Sequence, residues 1–470
     1  MKKIIFTTLL LLCSLLPSMA ARGNKARLAY PGGHFQIYRV YLTDKQGTTG
    51  SLSHPEQFLS QRALERRQRQ HLTVDSTDLP VSARYLSEMK AHSFEVVGSS
   101  KWNNTVLVRI PQEKAQTIDQ LRTLPFVKSA CLVFTAPDSC ADVRPDTVFH
   151  GKQTLLYPVS DRYGDAEHQI LMLNGKKLHE AGFRGQGKLI AIIDGGFMNA
   201  NQIPLFDNIR ILGHHDYAYP YDADVFKLLD HGTMVLSTMA MNRDSLFTGT
   251  APDASFFLLR SEDGRTEFPV EEDYWAQAAE YADSIGADVV NSSLGYTRFD
   301  DRDLDHTYRE QDGKTTLISR TASLMASKGM ILVNSAGNEG DSSWKRINVP
   351  GDASDILTVA ALKADSVNAG FSSVGPSFDG RVKPDVSAMG YHSTVVRGNG
   401  RITTANGTSF SSPILCGMVA SLWSALPNLT AYQIMDLVRR SADRYDFPDN
   451  IYGYGIPNFW EAYQMGLTVK

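Results

Sequence analysis

Leu189-Ile190-Ala191-Ile192-Ile193-Asp194-Gly195-Gly196 is an apolar run that ends in a carboxylate and two glycines. It is short, rich in isoleucine and closed by a turn signal, so it reads as a strand buried on both faces. Working outward, residues 256–259, 289–290, 330–333 and 356–359 are further short apolar runs. Helical patterns separate them at 232–241, 273–285, 322–328 and 411–425. Strand–helix alternation of this kind predicts an α/β fold, a parallel sheet covered by helices on both faces. In such folds the ligand site lies beyond the carboxyl ends of the strands, which is where polar residues deserve scrutiny.

Four polar positions answer that description. Asp194 closes the first strand. His231 sits in Asp230-His231-Gly232-Thr233-Met234-Val235, where a helical pattern begins. Asn338 lies in Ser335-Ala336-Gly337-Asn338-Glu339, just past another strand. Ser409 lies in Gly407-Thr408-Ser409-Phe410-Ser411-Ser412-Pro413, at the start of an amphipathic helix with Pro413 expected in its first turn. Taken singly, each has an ordinary structural reading: turn aspartate, core histidine, turn asparagine, helix-cap serine. Together they put Asp, His and Ser, in that order, at the ends of core elements. The order differs from the Ser-Asp-His order of α/β-hydrolases, and Ser411 breaks the Gly-x-Ser-x-Gly elbow such enzymes require.

From about residue 165 to 462 the chain resembles the subtilisin-like serine proteases, or subtilases. The resemblance rests on Ile192-Ile193-Asp194-Gly195-Gly196, His231-Gly232-Thr233, Ala336-Gly337-Asn338 and Gly407-Thr408-Ser409 with Pro413. Gly249-Thr250-Ala251-Pro252, Asn291-Ser292-Ser293-Leu294-Gly295 and Lys383-Pro384-Asp385 support it. It implies a subtilisin-like sheet preceded by a small α+β propeptide domain, and a secreted serine endopeptidase. By that resemblance Ser409 is the nucleophile, His231 the base and Asp194 its orienting partner. Asn338 lines the oxyanion hole, and Ser293, Leu294, Gly295, Ala336 and Gly337 hold the substrate. Sedolisins carry an acidic residue at the histidine position and aspartate at the oxyanion position. His231 and Asn338 therefore imply a subtilase working near or above neutral pH. Expected partners are protein or peptide substrates and the chain's own propeptide as intramolecular inhibitor. No cofactor is required, although calcium is possible without an assigned site. A catalytically inactive subtilase-fold binding protein is the alternative, and an esterase or peptide-transfer enzyme would use the same triad.

The remaining sequence fits this order. Lys2 and Lys3, the apolar stretch 4–16 and Ser18-Met19-Ala20 read as a signal peptide over 1–20, placing the protein in a periplasm or outside the cell. Residues 21–145 form the α+β unit, read as a propeptide with a permanently attached binding domain as alternative. Residues 146–164 read as a linker and 165–470 as the catalytic domain. Within the first unit, strands are expected at 35–42, 94–97, 105–110 and 127–134, and helices at 55–70 and 112–124. Arg62, Arg66, Arg67 and Arg69 read as a solvated helix face. The aspartates of the insert 297–320 read as a charged loop, with calcium ligation as the other use. Of the cysteines beyond Cys13, Cys131 and Cys140 are candidates to bridge, and Cys416 fits the core. The chain has 47 basic and 51 acidic residues, a net charge of −4, which gives no electrostatic reason to expect nucleic acid. Beyond the signal no apolar stretch is long enough for a transmembrane segment.

Overall fold

The computed structural model describes residues 27–142, 162–219 and 224–469. The signal reading of 1–20 and most of the linker reading, 146–161, lie outside the described residues. The N-terminal unit is an antiparallel sheet of β1 (Phe35–Leu42), β2 (Glu95–Ser100), β3 (Thr105–Pro111) and β4 (Val127–Thr135), in the order β2-β3-β1-β4. Its helices include α1 (Gln61–Arg69) and α2 (Ala83–Ala91). Period-2 alternation splits the sheet between two cores. Val106 and Val108 pack with Tyr85 and Met89 of α2, while Leu107 between them joins a cluster with Val270 and Tyr274 of the C-terminal unit.

The C-terminal unit holds a fully parallel sheet. Its strands are β5 (Leu189–Asp194), β6 (Arg210–Asp216), β7 (Ser255–Arg260), β8 (Val289–Ser292), β9 (Ile331–Ser335), β10 (Leu357–Leu362) and β11 (Val386–Met389). They lie in the order β11-β10-β9-β8-β5-β7-β6. The covering helices are α3 (His231–Ala240), α4 (Val270–Ile285), α5 (Leu317–Leu324) and α6 (Thr408–Ala425). Ile190 and Ile192 pack with Val235 and Ile414 on one face, and Leu189, Ala191 and Ile193 with Trp275 and Ile318 on the other. That two-sided burial is why β5 carries no polar residue until Asp194. β7 and β8 flank β5 on opposite sides, so the chain reverses direction around β5. This is the topological switch point where a crevice opens beyond the strand ends.

Several sequence expectations need correction. Strands β6 and β11 and helix α2 lack a strong enough local pattern to be expected. The helix expected at 55–70 begins only at Gln61, and that at 112–124 contracts to Thr117–Arg122. Pro413 falls in the second turn of α6 rather than the first, because the helix starts at Thr408. Its missing N–H would have bonded the Ser409 carbonyl; the Ser293 hydroxyl donates to that oxygen instead, at 2.9 Å. All three described cysteines are free thiols. In the insert, Asp300, Asp301, Asp305 and Asp312 each accept a backbone N–H at a separate turn. They form no convergent group of three carboxylates.

Half of the arginine face of α1 is not solvated: Arg69 is exposed and Arg62 half-buried, but Arg66 and Arg67 turn inward. Arg66 and Arg67 are each 1% exposed. Arg66 donates to the Asp283 carboxylate and the Ala287 carbonyl. Arg67 donates to Asp78 at 2.8 and 2.9 Å and to Asp283 at 2.7 Å. Arg62 reaches the Gly286 carbonyl at 2.9 Å. The partners gather at the carboxyl end of α4, where the Asp283 carboxylate and the free carbonyls both attract cations. Further along α4, Asp273 pairs with Arg39 at 2.6 Å, and Glu280 accepts the Lys101 and Trp102 amides at 2.8 and 3.0 Å. One helix of the C-terminal unit thus carries much of the inter-unit seam. Among the described residues no helix is long and apolar enough to cross a membrane.

Candidate active site

Asp194 is buried at the end of β5, and its carboxylate accepts the Gly195 N–H at 2.8 Å. His231 is the first residue of α3. The helix reaches it because Gly232 lets two backbones touch: the Gly232 N–H donates to the Gly196 carbonyl at 2.9 Å. A Cβ at Gly232 would stand 2.5 Å from that oxygen. The contact sets His231 Nδ1 at 2.8 and 3.1 Å from the two Asp194 oxygens. A carboxylate only accepts, so Nδ1 carries the proton and Nε2 is left as the basic nitrogen.

Ser409 is the second residue of α6, so its N–H has no partner within the helix. Its hydroxyl donates to the Ser293 carbonyl at 3.3 Å, and no hydrogen bond joins it to His231 in this structure. Asn338 follows β9. Its Oδ1 accepts both the Thr408 N–H at 2.9 Å and the Thr408 hydroxyl at 3.0 Å. That double anchor leaves its Nδ2 donors unused. Gly337 adopts φ +106°, and a Cβ there would lie 2.8 Å from the Ser373 hydroxyl.

These residues meet in one cavity of about 390 Å³, lined by Asp194, His231, Ser293, Leu294, Gly295, Gly337, Asn338 and Ser409. Ala336, expected at the site, is fully buried behind the wall; Ser335 and Glu339 line the cavity instead. The opposite wall, the segment after β7, brings Glu262, Asp263 and Glu267. Asn348 also lines the cavity, and Thr297 holds its Oδ1 at 2.8 Å. Sequence reasoning missed these residues. The strand-end rule pointed to 261–267, but no motif drew attention there.

Burial alone would lower the pKa of His231. The Asp194 carboxylate more than offsets it, Asp230 and Glu262 add to the effect, and the pKa ends above the ordinary 6.5. A protonated imidazole cannot accept a proton. Activity is therefore expected to rise with pH through an inflection above 6.5. Asp230→Asn, which removes one raising charge, is expected to move that inflection down; an unmoved acid limb in the pH profile of kcat/KM would contradict it.

A nitrogen base held by a buried carboxylate, a helix-start hydroxyl and an unused amide donor in one cleft is an arrangement suited to acyl transfer. The family model described as "Subtilase family" matches residues 185–455.

The chain is a subtilase.

A second family model, "Peptidase S8 propeptide domain, Bacteroidota", matches residues 37–145. The subtilase is similar to the thermostable alkaline protease of Halalkalibacterium halodurans, 26% identical over 63% of this chain and 73% of the relative. Subtilisin NAT of Bacillus subtilis subsp. natto is 27% identical over 69% of this chain and 76% of its own. Serine protease AprX of Bacillus subtilis is 27% identical over 68% and 74%. The subtilase is a serine-type endopeptidase with a propeptide domain preceding its catalytic domain.

Proposed function

We propose that this chain is an exported endopeptidase that cleaves peptide bonds through an acyl-enzyme on Ser409. The observation that carries this is the pair of Asp194–His231 hydrogen bonds, which fixes the tautomer with Nε2 basic in the cleft that Ser409 also lines. His231 Nε2 takes the Ser409 proton as Oγ attacks the scissile carbonyl, and later delivers it to the leaving amine. Asp194 holds the imidazole and stabilises its charged form. The carbonyl oxygen becomes an oxyanion that accepts from Asn338 Nδ2 and the Ser409 N–H. The main-chain groups of Ser293 to Gly295 pair with the extended substrate.

The N-terminal unit acts as an intramolecular inhibitor. Tyr30 donates to Asp263 at 2.7 Å, and the Phe134 and Phe268 rings stand 5.0 Å apart, so the unit rests on one wall of the cleft. A fluorophosphonate probe is expected to label Ser409 in processed protein. Processed protein that neither labels nor cleaves casein would defeat the proposal. Asn338→Ala removes one oxyanion donor and is expected to lower kcat by about 10²–10³-fold with KM little changed, the magnitude found for the corresponding subtilisin asparagine. Steady-state kinetics on a peptide anilide reads both terms.

A further inference from the structure

We propose that the cleft selects a substrate with a lysine or arginine side chain, which enters among Glu262, Glu267 and Glu271. The inference rests on the protease reading above and deepens it. The three residues lie on the segment after β7 and the start of α4, with one carboxylate oxygen of each within 4.8 Å of the others. Glu262 and Glu267 are half-buried and line the same cavity as His231 and Ser409.

Glu271 lies beneath them, 1% exposed. Its Oε1 accepts the Asp263 N–H at 2.6 Å, and its Oε2 has no partner. A carboxylate oxygen buried without a partner, beside two carboxylates that line the cleft, is costly unless something supplies a donor. The Tyr296 hydroxyl donates to Glu262 and closes the far side. The nearby cations are committed elsewhere: Arg265 to Asp263 at 2.6 Å and Arg260 to Asp216 at 2.7 Å. Among the described residues no lysine or arginine pairs with the three glutamates. Burial is the first cause that raises all three pKa values, that of Glu262 to about 7; the Asp194 charge adds to it at Glu262, and the Glu262 charge adds to it at Glu267 and Glu271.

The cluster's shape suits a side-chain cation. An ammonium donates three hydrogen bonds of about 2.8 Å, which holds its acceptors about 4.6 Å apart. A calcium ion asks for roughly six to eight oxygens, which the three glutamates and Tyr296 reach only if all three carboxylates bind bidentately, and Glu271 Oε1 is already held by the Asp263 N–H. The opening onto the substrate cavity brings such a cation in on the peptide itself, opposite the wall that carries Asn338.

The test is a fluorogenic peptide set, cleaved by protein produced from the full-length chain, with Lys, Arg, norleucine or Glu at each position in turn. At one position Lys or Arg is expected to raise kcat/KM about 10–10²-fold over norleucine, as a charge-assisted hydrogen bond would. In Glu262→Gln/Glu267→Gln that ratio is expected to collapse to about threefold or less. Glu267→Lys is expected to turn the preference toward Glu, a gain that misfolding cannot produce. Equal cleavage of the whole set by the wild type overturns the inference and leaves the protease reading standing. So does a basic preference that survives both variants, or a calcium requirement without any basic preference. Protein that cleaves no peptide and takes no phosphonate at Ser409 defeats the protease reading, and this inference with it.

Discussion

Ser409→Ala is expected to lower kcat by about 10⁶-fold, the cost of removing the nucleophile from a triad that acts as a unit. The residual rate should still exceed water by about 10³–10⁴, because the oxyanion donors and the binding wall remain. The substitution should spare the fold. The hydroxyl's one hydrogen bond is the 3.3 Å contact to the Ser293 carbonyl, and the Ser409 carbonyl keeps its own bond from the Ser293 hydroxyl. Alanine also suits a helix start sustained by the apolar contacts of Phe410 and Ile414. Thermal unfolding within a few degrees of wild type, together with lost casein cleavage, is the expected pair of results. If the enzyme processes itself, the variant should also keep its N-terminal unit, visible as an uncleaved band. A variant that matures at the wild-type rate in a protease-free host would reject self-processing. One that cleaves casein normally would reject Ser409 as nucleophile.

The candidate cluster that lines one cavity was readable from sequence because its residues are locally marked. Asp194 ends an apolar run, His231 and Ser409 each open a helix, and Asn338 follows a strand; the strand-end rule of parallel sheets then gathers them. What could not be read depends on partners distant in the chain. The arginines of α1 look like an exposed basic face until Asp283 appears, more than two hundred residues later, in a unit whose docking no local pattern announces. Nothing local marks Glu262 and Glu267 until the switch point turns them toward the cavity, with Glu271 buried close by. Ser293 was read as substrate-binding backbone, yet its hydroxyl also repairs the hydrogen bond that Pro413 removes from α6. A proline in the second helical turn is therefore matched by a partner that lies just past the end of β8.

Asp283→Ala is expected to have the largest effect on how the two units hold together. Its carboxylate, 0% exposed, receives both Arg66 and Arg67, and Lys101 stands 3.9 Å away. Removing it leaves two guanidinium groups buried, with Arg67 retaining Asp78 and Arg66 retaining only carbonyls. Removing one partner of a buried ion pair costs about 3–5 kcal/mol, because the stranded charge cannot recover its hydration. The cost falls on docking, since the arginines and the aspartate belong to different units. In uncleaved protein in a Ser409→Ala background, hydrogen exchange should show the amides of α1 opening more easily by about 3–5 kcal/mol. The amides of β8 and β9, deep in the other unit, should change far less. Asp119→Ala is the control: its pair with Arg122 is exposed at 49% and 80%, and exchange should not respond measurably. If Asp283→Ala proves as silent as the control, the buried arginines gain their stability from the carbonyls at the end of α4, and the seam is a helix cap rather than an ion-pair lock.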